Sequence, residues 1–179
     1  MRAGGVRLGA PKDATVFDGQ TVPMRIYLPA TAADLRADTI SPRLAHAPTP
    51  ALARALPEED QEGLEVSASL CAADASPVLL AEPGAAGLAD RRIVVAADVE
   101  PEAAHELAPG GDVLPGTVKV TTEVPWDQVA AVLVDEAAVE PDVHAARLGD
   151  EEAFERTAQA DLLWFDVTEK QALAAELGV

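Results

Sequence analysis

The sequence predicts an α/β domain, a mixed sheet of about five strands flanked by helices. Three observations predict it. Met24–Leu28, Ile93–Ala97 and Ala130–Val134 are short runs of strand length, apolar but for Arg25, each closed by a proline or a carboxylate. The long stretches between them carry helix starts and apolar stripes at helical spacing, and helical connections imply parallel neighbours. The corner at Pro125, by contrast, is too short for a parallel crossover, so the sheet is expected to be mixed. A ferredoxin-like α+β arrangement is the alternative.

Residues 1–23 are Gly-rich, weakly basic and aperiodic, and they read as a disordered extension or as the product of a start upstream of Met24. A single domain is expected over residues 24–179. Its first strand, Met24–Leu28, is stopped by Pro29, and Thr31 with Asp34 makes a near-capping box for a short helix to Ala37. Residues 38–50 hold Pro42, Pro48 and Pro50 and read as a loop: a plain surface crossover, or a lid if functional. Thr49–Pro50 opens a short helix to Leu56. Pro57 restarts the chain as a longer one, with Glu58, Glu59 and Asp60 at the positive end of its dipole. Leu64, Ala68, Cys71 and Ala75 form its expected buried stripe. Pro77 is expected to kink or end that helix, and Pro83–Gly84 to break the segment.

Ile93–Ala97 is apolar on both faces and ends at Asp98; a helical turn is expected at Pro101–Leu107. Val118, Val120 and Val124 alternate with Lys119, Thr121 and Glu123, as in a strand with one wet face. Ala130–Val134 has no polar residue on either side and suits a central strand covered on both faces. Between them, Trp126 is expected to anchor the corner from inside, a ligand platform being the other use of such a ring. Pro141 occupies a first helical position, Gly149 closes that helix, and Asp150 caps the next. Leu162–Val167 reads as a strand by its branched and aromatic content, although its spacing from Phe154 and Ala158 would also continue a helix. Thr168 with Gln171 is the expected capping box of a last helix to Gly178.

At 179 residues and 18.6 kDa the chain fits one domain with ample core. Hydrophobic residues make up 49% but aromatics only 3%, so the core is expected to be built from small aliphatic side chains. The net charge of −18 and pI near 4.3 disfavour nucleic acid and anionic membrane surfaces, and point to solubility or to a basic protein partner. The basic residues are scattered, and Arg91–Arg92 is read as simply preceding a strand. A single cysteine, Cys71, excludes an internal disulfide and is expected to be a buried, inert thiol. No run approaches the roughly 20 apolar residues of a membrane span, and Arg2 and Arg7 are followed by no apolar leader core, so a cytoplasmic protein is expected.

Motifs for familiar chemistry do not form. His46, His105 and His144 are far apart and are expected to be solvated surface histidines. No serine lies in G-x-S-x-G and no G-x-G-x-x-G occurs, so no cofactor is expected. Gly4 and Gly9 have Walker-type spacing, but Ala10–Pro11 stands where Lys-Ser/Thr is needed. The candidate site is acidic. Asp98 ends one central strand and Asp135–Glu136 another; were those strands parallel, three carboxylates would share the carboxyl edge and could hold Mg²⁺. The plainer reading, under which no metal is expected, is that they cap or charge helix starts. Trp164–Phe165 is expected in the core, with Trp164, like Trp126, a candidate partner anchor if exposed.

M-R-I-Y-L-P-A-T from Met24, T-P-A-L from Thr49, V-V-A-A-D-V from Val94, V-P-W-D-Q-V-A-A-V-L-V-D from Val124 and L-L-W-F from Leu162 occur in that order. Together they resemble a family of small actinobacterial proteins known only as a domain of unknown function. The resemblance spans Met24 to the C-terminus; Pro77 departs from the uninterrupted helix it implies. It implies no activity, cofactor or catalytic residue. Two functions are therefore carried forward. One is a non-enzymatic cytoplasmic interaction domain whose acidic surface meets a basic partner. The other is a small metal-assisted enzyme or ligand-binding protein using Asp98, Asp135 and Glu136. A monomer, or a homodimer through an edge strand at 117–124, suits both.

Overall fold

The structure is a computed structural model that describes residues 16–17 and 20–179; most of the stretch expected as an extension lies outside the described residues. The strands are β1 (Val16–Phe17), β2 (Gln20–Thr21), β3 (Met24–Ala30), β4 (Thr39–Ile40), β5 (Leu44–His46), β6 (Ile93–Val99), β7 (Ala104–Glu106), β8 (Thr117–Val120), β9 (Val124–Pro125), β10 (Val129–Asp135) and β11 (Leu162–Asp166). The helices are α1 (Pro50–Ala55), α2 (Gln61–Leu80), α3 (Glu140–Arg147), α4 (Glu151–Ala158) and α5 (Lys170–Glu176). Seven strands form one sheet in the order β11-β10-β6-β3-β5-β8-β7, and β1–β2 and β4–β9 are two-stranded ribbons.

The expected class, a sheet flanked by helices, holds; the sheet is larger than expected and its described neighbours are all antiparallel. The expectation of parallel neighbours fails for a reason of counting. Between β3 and β6 the chain first returns along β5 and then runs back along α2, so β6 begins where β3 ended, with Ile93 opposite Ala30. Between β10 and β11 it makes two short passes, α3 and α4, packed against each other, and β11 begins opposite the end of β10, Leu162 against Asp135. An even number of passes reverses the strand.

Alternation sorts the central strands onto two faces. Ile26, Leu28, Val95, Ala97, Val132 and Val134 point to the larger core, closed by Leu35, Ile40, Val124 and by Leu173 and Leu177 at the C-terminal end. Tyr27, Val94, Ala96 and Ala131 point to the other face, under Leu52 of α1 and Leu64, Ala68, Ala72 and Ala73 of α2. The buried stripe of α2 thus follows the i, i+4 ridge Leu64, Ala68, Ala72, Ser76, Leu80, and the expected Cys71 and Ala75 flank it half-buried. By length and composition α2 would also pass for a membrane span, contrary to the sequence reading, as core helices can; here its stripe is packed on the sheet.

Pro77 does not end α2, for the helix continues to Leu80. Tertiary bonds one residue earlier hold it there. The fully buried Ser76 hydroxyl donates to the Ala30 carbonyl at 2.9 Å and accepts from the Ile93 amide at 3.2 Å, tying α2 to β3 and β6 together.

Other local differences are small. The lid-candidate segment 38–50 contains β4 and β5, both paired in sheets. The turn expected at Pro101–Leu107 is a 3-10 turn over Pro101–Ala103 followed by β7. Thr168 does not cap the last helix, α5, which has no side-chain cap. The capping box lies on the 3-10 turn Val167–Glu169 before it, where the Asp166 amide donates to the Glu169 carboxylate and the Asp166 carboxylate accepts from the Thr168 amide. Leu162–Asp166 is a strand, as its composition predicts.

Ser76→Ala removes a donor and an acceptor that sit between two strand ends, leaving the Ile93 amide and Ala30 carbonyl unpaired. A loss of about 1–3 kcal/mol is expected, measured as a lower urea midpoint at unchanged slope.

Candidate functional site

The three candidate carboxylates do not converge. Because β6 and β10 are antiparallel, Asp98 and Asp135 end those strands at opposite edges of the sheet. Asp98 lies opposite Arg25 of β3, and the two form a bidentate pair with Nε–Oδ1 2.6 Å and Nη2–Oδ2 2.9 Å. Glu136 is exposed ahead of the 3-10 turn Ala137–Val139, and its side chain makes no capping bond.

Asp135 is fully buried, and so is its partner Arg92. The guanidinium donates to the carboxylate through Nε at 3.0 and 3.1 Å and through Nη2 at 2.7 Å, and the Arg92 amide adds a fourth bond at 2.9 Å. Nη2 also reaches the Ala160 carbonyl, at the approach to β11. Neighbouring Arg91 donates to the Asp135 carbonyl at 2.7 Å and to Glu140 and Glu176 at 3.2 and 3.3 Å. Arg91–Arg92, read from sequence as merely preceding a strand, braces β6, β10, α3, α5 and the start of β11.

The two tryptophans have opposite fates. Trp126 packs against the large core, donates its indole N–H to the Ala37 carbonyl at 2.9 Å, and carries the Lys170 ammonium 4.1 Å above its ring. It anchors the corner, as expected. Trp164, expected in the core, is 63% exposed. Phe165 turns to the large core and so, by alternation, Trp164 stands on the other face of β11, opposite Leu133. There it forms a wall of a groove of about 220 Å³ between the sheet and α2. Leu133, Ala131 and Val66 supply apolar lining, with Glu62 and Glu65 on α2. Tyr27 donates to Glu65 at 3.3 Å, and burial, with that carboxylate beside it, pushes the phenol up to about 12, so it stays a donor. Arg25, also in the groove, is already engaged by Asp98. The groove is apolar with an acidic rim.

The histidines also divide. His105 and His144 are exposed, as expected, with His144 Nδ1 2.7 Å from Asp90. His46 is 7% exposed, contrary to expectation, because β5 is an inner strand between β3 and β8. Its Nδ1 has no hydrogen-bond partner among the described residues, and burial holds the imidazole below its ordinary value. Cys71, expected to be buried, is half-buried, and burial followed by the charge of Asp74 raises its thiol, which disfavours the thiolate. The strand at 117–120 is flanked by β5 and β7, so it is not the free edge expected for a homodimer; among the described residues β11 and β7 are the edges.

Residues 24–174 match the model of a family of unknown function, DUF6912, and the chain belongs to that family. Comparison with curated proteins and with solved structures finds no match.

Two outcomes follow from these placements. Asp135→Asn or Arg92→Met strands a buried charge and is expected to cost about 3–5 kcal/mol, whereas Arg92→Met with Asp135→Leu recovers much of the loss; urea unfolding of the three variants measures both. For His46, the unfolded chain takes up the proton first as pH falls below the ordinary value of 6.5. Its contribution is therefore intact above that value and lost as pH falls toward the lower folded value. Unfolding free energy followed between pH 7 and about 5 should fall less steeply in His46→Gln than in the parent.

Proposed function

We propose that this chain is a non-enzymatic protein-interaction module that holds a basic segment of another protein against Trp164 in the groove between α2 and β11. The observation that carries this reading is the exposed Trp164 ring on an edge strand, in a chain with so few aromatic residues. An exposed tryptophan is a large apolar surface left in water, and tryptophan is the residue type most enriched where binding energy concentrates. Charge sets the partner's chemistry. Glu62 and Glu65 flank the groove, its one arginine is spent on Asp98, and the chain carries −18 overall. A lysine- or arginine-bearing segment with an apolar anchor fits that surface, and the field would speed its encounter. An anionic partner would be repelled.

The proposal is tested by selecting binders from a displayed library of random peptides and measuring the enriched sequences by fluorescence anisotropy. Enriched peptides should combine Lys or Arg with an aromatic or aliphatic anchor. Their affinity should fall about tenfold or more in Trp164→Ala and weaken with added salt. Peptides with no excess of positive charge, or ones indifferent to Trp164→Ala, would remove the basis of this reading.

A further inference from the structure

On the opposite flank of α2 from Trp164 lies a larger depression, about 590 Å³, between that helix and β5, β8 and the loop before β8. Its size is in the range of small-molecule sites, about 300–1,000 Å³. Three exposed apolar side chains from three different segments face it: Leu44 on β5, Val78 on α2 and Leu114 in the loop. Such side chains are ordinary when scattered, but here they surround one concavity. The lining also includes His46, which is more than nine-tenths buried and whose Nδ1 has no partner. An unpaired buried nitrogen costs free energy until something bonds it.

We infer that this groove is a second binding site, for an uncharged, largely apolar small molecule bearing a hydroxyl that hydrogen-bonds His46. The hydroxyl is chosen by the imidazole. A neutral ring offers a donor at one nitrogen and an acceptor at the other, and a hydroxyl answers either. The absence of charge is chosen by the walls. Arg43 lines the groove, but its guanidinium is held by Asp34 at 2.7 and 3.0 Å and by the Pro29 and Ser41 carbonyls, so no free cation greets an anion. Asp74 and Asp112, also in the lining, repel one. A cation gains little from Asp74, which burial raises and which already lies 3.8 Å from the Arg92 guanidinium. Burial and Asp74 raise the Cys71 thiol in the same lining, which disfavours a thiolate there.

The probe is 2-naphthol, with naphthalene as the same ring system without its hydroxyl. Amide chemical shifts of the full chain, followed by NMR during titration, report where each binds. 2-Naphthol is expected to saturate, to move the resonances of Leu44, His46, Val78 and Leu114, and to bind about tenfold more tightly than naphthalene. His46→Phe should erase that difference, and Ala75→Trp, which fills the groove from α2, should abolish both titrations. Trp164→Ala should alter neither. The inference is overturned if 2-naphthol does not saturate, if the shifts map elsewhere, or if the two probes bind the parent chain equally. Survival of the preference in His46→Phe also overturns it. The comparison of the two probes on the unaltered chain decides the matter even where a variant fails to fold.

Discussion

The Arg92–Asp135 pair is the constraint around which the central sheet is arranged. Both residues are fully buried at the place where β6 begins and β10 ends. An isolated ion there would be intolerable: leaving one partner without the other costs about 3–5 kcal/mol, a large part of a typical net stability of 5–15 kcal/mol. With β6 and β10 antiparallel the two groups meet; with them parallel they would lie at opposite ends of the sheet, both unpaired. Arg91 extends the tie to Glu140 on α3 and Glu176 on α5, and Arg92 extends it to Ala160 before β11. One arginine dipeptide thereby fixes strand direction and the seating of the C-terminal elements. The carboxylate that looked most like a metal ligand is spent on architecture.

Both grooves follow from a mismatch of widths. Six inter-strand steps of about 4.8 Å make a seven-stranded sheet roughly 29 Å across. A helix with its side chains is about 10–12 Å wide. On the face away from the large core, α2 lies over β3, β6 and β5 and is pinned there by Ser76, with only short helices beside it: α1, and α3 and α4, which pack on α2 itself. The sheet must emerge on either side. On the β10–β11 flank it emerges as Leu133 and Trp164; on the β5–β8 flank, as Leu44, with the buried His46 and Thr117 also in the lining. Candidate binding surfaces arise here because one layer is too narrow, and no catalytic constellation is needed to explain them.

This geometry also explains what was legible in the sequence. Periodicity and punctuation located the apolar strands, the helix starts at Thr49 and Asp150, and the Trp126 corner, because those signals act within a few residues. Strand direction was not legible. It depends on whether the chain makes an even or odd number of passes between strands, and the short β5 was hidden in a proline-rich segment read as a loop. Once direction was lost, Asp98 and Asp135 were placed at one edge and Arg91–Arg92 seemed idle. The Arg-Arg before one apolar run and the Asp-Glu after another were the available signal for antiparallel pairing. Trp164 and His46 were misplaced for a related reason. Leu-Leu-Trp-Phe is apolar on both faces, which suggests a covered strand, but burial on each face depends on which layer lies above it. His46 sits in a segment with too few residues to reveal an inner strand.

The same ties shape the acidic surface. Arg25, Arg43, Arg91, Arg92, Arg147 and Arg156 are all paired with carboxylates of the chain itself. Such pairs consume six of only 13 Lys and Arg, against 31 Asp and Glu, and the excess of carboxylates is left facing solvent. Individual exposed pairs add little stability, commonly 0–1 kcal/mol. Their larger consequence is for the field. Positive charge is neutralised locally, close to its partner, so at a distance the molecule presents nearly uncompensated negative charge, felt out to a Debye length of about 8 Å in physiological salt. Around Trp164, where the only arginine is so neutralised and two glutamates are not, field and exposed apolar surface coincide. That coincidence separates the β11 flank from the His46 flank. The partner proposed for the first is a charged macromolecule; that proposed for the second, with a larger cavity, a buried ring and no unpaired cation in its lining, is a small uncharged molecule.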